Sequence, residues 1–226
     1  MKRSEINRAV TWAKELLRKN NIRLPRYAYW DMDKWDENKE QIDTIRRLML
    51  GWDITDFGTG RFDEIGAVLY TVRNGDRDDT SVGVPYCEKY ILMKEGQRLP
   101  KHYHISKTED IINRAGGVMA VYLWNTDEQG RELDTDVKVF MDGIEQTFKA
   151  GEEILVYPGD SISLTPRMAH IFGPKPGYGE LVAGEVSKVN DDNTDNYFLE
   201  STFRFADIEE DERPQYPLCN EYAKLI

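Results

Sequence analysis

The chain has 226 residues, 40% of them apolar and 11% aromatic. That is enough to bury roughly 70% of the unfolded surface in one domain with appendages. Its formal net charge is −11, which repels phosphate backbones and anionic lipid headgroups. Nucleic-acid and membrane-surface roles are thereby disfavoured, while neutral or cationic small molecules and metal ions remain compatible. No run approaches the ~18 consecutive apolar residues of a membrane span. The start Met1–Val10 carries Lys2, Arg3, Glu5 and Arg8 and no apolar leader core. The two cysteines, Cys87 and Cys219, form neither a CxxC pair nor a disulfide framework. A soluble cytoplasmic protein with free thiols is the expectation.

The predicted elements begin with a helix over 4–19, with Ser4 as N-cap and Ile6, Val10, Ala13 and Leu17 at helical spacing. A second helix is predicted over 37–49, with Ile42, Ile45, Leu48 and Met49 on one face and Gly51 stopping it. Beyond Gly51 the apolar runs become short and rich in Val, Ile, Tyr and Phe. Strands are expected at 65–73, 86–93, 101–105, 118–125, 136–141, 144–148, 153–157, 161–164, 168–173, 180–188 and 197–205. Asp142-Gly143 is a hairpin signal between two of them, and Asn74-Gly75-Asp76 ends another. The plan is a helical arm (1–52), one all-β domain (53–205) and an acidic tail (206–226) packing on that domain.

The chain has only three histidines: His102, His104 and His170. Imidazoles two residues apart on a strand share a face and can converge on one point. Glu109 follows after a short Ser-Lys-Thr loop. A set of three histidines and one carboxylate leaves an open position for water or substrate and suits Mn, Fe(II), Co, Ni or Zn. A bare His-x-His is equally satisfied by exposed strand histidines, so the spacing around it decides. The chain reads Gly96, five residues, His102, one residue, His104, four residues, Glu109, six residues, Gly116. Every fixed position of the first cupin motif is matched. Gly159 through Pro166 to His170 resembles the second motif, except that Pro166-Arg167-Met168 lacks its usual glycine.

The resemblance implies an all-β fold, a cupin double-stranded β-barrel of the jelly-roll type with an N-terminal helical arm, and a metal on His102, His104, Glu109 and His170. Within the cupins the chain resembles the D-lyxose ketol-isomerases. The resemblance is carried by Lys101 through Arg114, Gly184 through Asn196, the opening Met1–Asn7 and the stretch from Arg204-Phe205 to Glu221-Tyr222. That resemblance implies a metal-dependent aldose–ketose isomerase served by Mn2+, with Co2+, Zn2+ and Fe2+ as alternatives. Its substrates would be D-lyxose and D-xylulose, with D-mannose and D-fructose as a related pair, and its assembly a homodimer.

Such chemistry needs a base near C1 and C2. With the histidines committed to metal, Glu185, an acid inside the apolar strand 181–186, is the first candidate; Glu109 is the second. Lys89 shares parity with Ile91 and Met93, so an inward, paired or sugar-facing ammonium is expected. Lys101 is a further catalytic candidate, although alternation points it away from the metal unless a bulge intervenes. Asp195 and Arg204 are candidate substrate-binding groups. Tyr103, Tyr122, Trp124 and Phe172 are read as wall or core residues, and Asn190–Asn196 as a loop able to cap the barrel mouth. An Fe(II) oxygenase, a sugar epimerase and a non-catalytic sugar-binding cupin remain as alternative functions.

Overall fold

A computed structural model describes residues 1–191, 194–200 and 202–225. Helix α1 (Arg3–Lys19) is followed by a 3-10 turn (Arg26–Tyr29) and two short helices, α2 (Met32–Glu37) and α3 (Asp43–Arg47). The strands are β1 (Gly51–Thr55), β2 (Ala67–Gly75), β3 (Gly83–Met93), β4 (His102–Tyr103), β5 (Glu109–Gly116), β6 (Met119–Thr126) and β7 (Glu132–Leu133). They continue with β8 (Val137–Met141), β9 (Ile144–Phe148), β10 (Ile154–Val156), β11 (Ser161–Leu164), β12 (Met168–Pro174), β13 (Leu181–Lys188) and β14 (Tyr197–Phe198). A last helical turn, α4, spans Tyr222–Leu225.

Two antiparallel sheets face each other. The larger runs β1-β2-β3-β13-β5-β11-β8-β9, and the smaller β10-β6-β12-β4-β14, with β7 added to β6. Side chains alternating inward from both sheets form one core, including Leu69, Ile91, Ile111, Val121, Leu123, Ile162, Phe172 and Ala183. The opposite parity of the larger sheet, Val68, Tyr70, Leu92 and Val182, is also buried. There it meets Ile6, Val10, Ala13 and Leu17 of α1 together with Trp52 and Ile54 of β1. Each fully buried aliphatic side chain on this face contributes roughly 1.5–3 kcal/mol over its exposed state.

Several expectations are corrected. The N-cap of α1 is Lys2, whose backbone N–H donates to the Glu5 carboxylate at 2.8 Å; Ser4 instead donates its hydroxyl to Asp211 at 2.8 Å. The single helix over 37–49 is α2 and α3, split at Asn38, the C-cap of α2. Strands β1 and β5 were not anticipated. Strand β1 is buried on both faces and shows no alternation. The strand expected over 197–205 shrinks to Tyr197–Phe198. The portions of that strand and of the Asn190–Asn196 loop that fall on Ser201, Asp192 and Asn193 lie outside the described residues. The Asp142-Gly143 hairpin joins β8 to β9 with both residues at positive φ, 50° and 81°.

The acidic tail closes on α1. Arg3, wholly buried, donates to Glu221 at 3.0 Å and to Glu210 at 2.9 and 2.7 Å. Asn7 donates to Glu212 at 3.1 Å. The negative charge of the tail is thus partly consumed by the first turns of the chain.

Candidate active site

Strand β12 sets His170 directly opposite His102 of β4, and their ring centroids are 4.2 Å apart. His104, one residue beyond β4, lies 5.2 Å from His102 and 5.7 Å from His170 by the same measure. All three are buried, and each offers a ring nitrogen within 4.8 Å of the others'. Glu109, the first residue of β5, approaches from the facing sheet. Its Oε1 lies 3.4 Å from His104 Nε2 and 3.3 Å from His170 Nε2.

Every Nδ1 in the set faces a backbone carbonyl: Pro100 at 2.9 Å, Asp195 at 2.6 Å and Met168 at 3.0 Å. A carbonyl only accepts, so each Nδ1 carries the proton and each Nε2 presents a bare lone pair. His104 Nε2, His170 Nε2 and Glu109 Oε1 are buried and form no hydrogen bond. A buried polar atom left so is costly, and three lone-pair donors turned toward one another are what a divalent ion satisfies. Burial pushes His170 down to about 4. Burial, then the neighbouring imidazoles, holds His102 well below the ordinary range. Both imidazoles are neutral at physiological pH, the state a metal requires. The residues present fit a metal ion.

Beside this set runs a buried chain of charges. Lys107 Nζ lies 2.8 Å from Glu109 Oε2 and 2.9 Å from Glu185 Oε1. Ser187 Oγ donates to Glu185 at 2.8 Å, and Lys89 stands opposite Glu185 in the β3–β13 register. Burial raises the Glu185 carboxyl, but Lys107 and then Lys89 outweigh it and the net shift is downward. A raised value, the usual aid to a base, is therefore not what this site provides. Burial also opposes the charge on Lys107, and the carboxylates of Glu109 and Glu185 overcome it and raise that ammonium. Glu109 is held well below the carboxylate range; burial works against this, and Lys107 and His104 prevail.

These groups open onto a small cavity of about 50 Å3. Its apolar wall includes Phe57, Leu69, Ile91, Phe172 and Phe198, and Lys89 and Arg204 also line it. Arg204 is paired with Asp53 at 2.6 Å.

The structure thus brings together His102, His104, Glu109, His170, Glu185, Lys89 and Arg204. Lys101 does not line this cavity: its ammonium bonds Glu132 at 2.9 Å and lies 3.7 Å from the centroid of the Trp124 ring. The lysine that enters the site is Lys107, which sequence reasoning passed over as loop. Its parity with Glu109, two residues on, was the available signal. Asp195 does not line the cavity; it accepts from the backbone of Ile105, Ser106 and Lys107.

Comparison with known proteins is consistent with this site. A family model described as D-lyxose isomerase matches residues 1–222. A D-lyxose/D-mannose isomerase of Escherichia coli O157:H7 is 40% identical over the whole of both chains. One of Serratia proteamaculans is 39% identical, again over the whole of both. Among solved structures, the L-ribose isomerase of Acinetobacter sp. DL28 in complex with L-ribose matches with a TM-score of 0.59 at 19% identity, covering 92% of this chain and 98% of that one. The L-ribose isomerase of Geodermatophilus obscurus matches with a TM-score of 0.56 at 16% identity and the same coverage. At these identities the two structures speak for the fold.

Proposed function

The chain belongs to the D-lyxose isomerase family, and from that footing we propose that it interconverts D-lyxose with D-xylulose, and D-mannose with D-fructose, through a cis-enediol. His102, His104, Glu109 and His170 would hold the metal, taken as Mn2+ with Co2+, Zn2+ and Fe2+ as alternatives. When bound, a divalent ion supplies polarisation of the substrate carbonyl and a template for adjacent oxygens.

The chain's own groups do the rest. Glu185, ionised at neutral pH beside Lys107 and Lys89, takes the proton from C2 of the aldose. As the C1–C2 double bond forms and then collapses, the proton given up by O2 is the one taken up by O1, handed between the two adjacent oxygens; C2 becomes the carbonyl, and Glu185 returns its proton to C1. Lys107 keeps Glu185 ionised and turned toward the cavity. Lys89 and Arg204 face the sugar's remaining oxygens, and the apolar wall excludes water from the exchanging proton.

The observation that carries this reading is the buried Lys107–Glu185 pair sharing one cavity with three imidazoles whose Nε2 lone pairs converge. The test is D-lyxose, then D-mannose, with the metal-stripped protein reloaded with Mn2+ under anaerobic conditions, assaying for ketose. Ketose without oxygen supports isomerisation and excludes an oxygenase; sugar binding with no ketose sinks the proposal. Glu185→Gln should lower kcat at least a hundredfold, within the range typical of a general base, while metal binding persists. Among the described residues no helix is long and apolar enough to cross a membrane. The reading also takes the protein as a cytoplasmic homodimer, for which light scattering of the purified chain is the check.

A further inference from the structure

His104 and Lys107 lie three residues apart but serve different parts of the site: one is a metal-facing imidazole, the other the ammonium between Glu109 and Glu185. Both are held by one distant residue. The backbone carbonyl of Asp195 takes the His104 Nδ1 proton at 2.6 Å. Its carboxylate accepts from Ile105 N–H at 3.0 Å and Ser106 N–H at 3.1 Å on one oxygen. On the other it accepts from Ser106 Oγ at 2.9 Å and Lys107 N–H at 3.1 Å. A carboxylate has about four acceptor positions, so this one is saturated by the 105–107 turn and has none left for a sugar hydroxyl.

The segment bearing Asp195 is itself anchored. Asp195 N–H donates to Asp191 O at 3.2 Å. Asn190 and Asn74 exchange side-chain and backbone hydrogen bonds, both 3.0 Å. Asn190 Oδ1 accepts from Lys107 Nζ at 3.3 Å. The turn is thus fixed at its backbone by Asp195, and the Lys107 ammonium is touched from the same loop.

We infer that Asp195 is a positioning residue whose carboxylate fixes the 105–107 turn that bears Lys107 and thereby seats its own backbone carbonyl on the His104 imidazole, so that metal affinity and proton transfer are coupled through one residue. This rests on the function proposed above and replaces the expectation that Asp195 binds substrate. Asp195→Ala and Asp195→Asn both test it. The asparagine keeps one acceptor oxygen but turns an NH2 group toward the Lys107 N–H. Three readouts apply: Mn2+ affinity by chelator competition, amine-reagent labelling of Lys107 by peptide mass spectrometry, and the kcat–KM split with D-lyxose at saturating Mn2+.

In the alanine variant, Mn2+ affinity should fall roughly 10–100-fold, as for other residues that orient a ligand. Lys107, protected in the parent, should label at a clearly higher rate, and kcat should fall with KM little changed. Asp195→Asn should move all three in the same direction by less. If Asp195→Ala does not fold, Asp195→Asn and Ser106→Ala, which removes one of the four donors, carry the same readouts. A folded variant that moves Mn2+ affinity without Lys107 labelling, or labelling without affinity, or neither, overturns the inference. Absence of ketose from the parent protein overturns the function proposed above instead, because the Mn2+ and labelling measurements judge Asp195 without turnover.

Discussion

Replacing Lys107 with methionine keeps an unbranched side chain one atom shorter and removes the charge that separates two buried carboxylates. At 2.8 and 2.9 Å from Glu109 and Glu185, each contact is roughly 6 kcal/mol at an effective dielectric of about 20. Much of that sum is offset by the desolvation of the ammonium. The net loss on breaking a buried pair from one side is about 3–5 kcal/mol, because the partner charges stay buried. In urea this should lower the unfolding midpoint of the EDTA-treated protein by about 1.5 M or more. EDTA treatment keeps a bound ion from compensating for the lost cation. The pH profile should move as well. Burial raises the Glu185 carboxyl, and Lys107 leads the charges that reverse it; without Lys107 the carboxyl protonates at higher pH. Since the base must be ionised, the acid limb of kcat/KM shifts upward in pH. A methionine variant with the parent's urea midpoint and an unmoved acid limb would refute both the pairing energy and the role of Lys107.

Chelation should lower the thermal midpoint of the metal-loaded protein by about 5–10 °C, taking an ion at a hundred times its Kd as about 2.7 kcal/mol; an unchanged midpoint with metal demonstrably removed counts against the site. For the metal-free protein, His170 is ordinarily near 6.5 and is pushed down to about 4 in the fold. Between those values the unfolded chain binds the extra proton, so stability falls as pH drops from 6.5 toward 4, by roughly 3 kcal/mol in all. Urea midpoints at several pH values should show that slope, and His170→Gln should flatten it. Arg3→Met should cost about 3–5 kcal/mol by leaving Glu221 buried without its cation, seen as a drop in the urea midpoint with Mn2+ affinity untouched. Arg167→Gly relieves a residue at φ +66° and keeps the backbone bond to His104 O at 2.6 Å; stability should hold or rise by about 0.5–1 kcal/mol, and a loss beyond 1 kcal/mol would show that the guanidinium contacts with Asp127 and Glu128 dominate.

The barrel and its histidines were legible because they depend on patterns a sequence displays directly. Strand alternation survives wherever one face is core and the other is wet, as in β8 with Val137 and Val139 buried and Lys138 and Phe140 exposed. It vanishes where α1 covers the outer face of the larger sheet, which is why the wholly buried β1 was not seen. The run 37–49 carries helical apolar spacing through Ile42, Ile45 and Leu48, yet those side chains pack from a short α3 and its flanks rather than from one continuous helix. Lys101 and Lys107 show the same limit at the site. Local parity turned Lys101 outward, and parity with Glu109 was the one local hint for Lys107, but the contact that holds the turn after His104 in place is not local. That turn is fixed by Asp195, ninety-one positions from His104, and a contact at such separation leaves no local trace.

Arg167 shows how a motif can lose a residue and keep its geometry. The second motif lacks its glycine, yet the backbone at Arg167 still takes the left-handed conformation, φ +66°. Left-handed backbone at a residue with a Cβ costs about 1 kcal/mol, so the fold must supply that much elsewhere. It does so with the Arg167 N–H on His104 O at 2.6 Å and the Thr126 N–H and hydroxyl on Arg167 O at 3.2 and 2.7 Å. These bonds tie β12, which carries His170, to the chain at His104 and to the end of β6. What the motif encodes at this position is therefore a direction of the backbone. Glycine supplies that direction through conformational freedom, and here tertiary hydrogen bonds supply it for an arginine. The histidines admit no such substitution, because their contribution is an atom, the Nε2 lone pair, rather than a path of the chain.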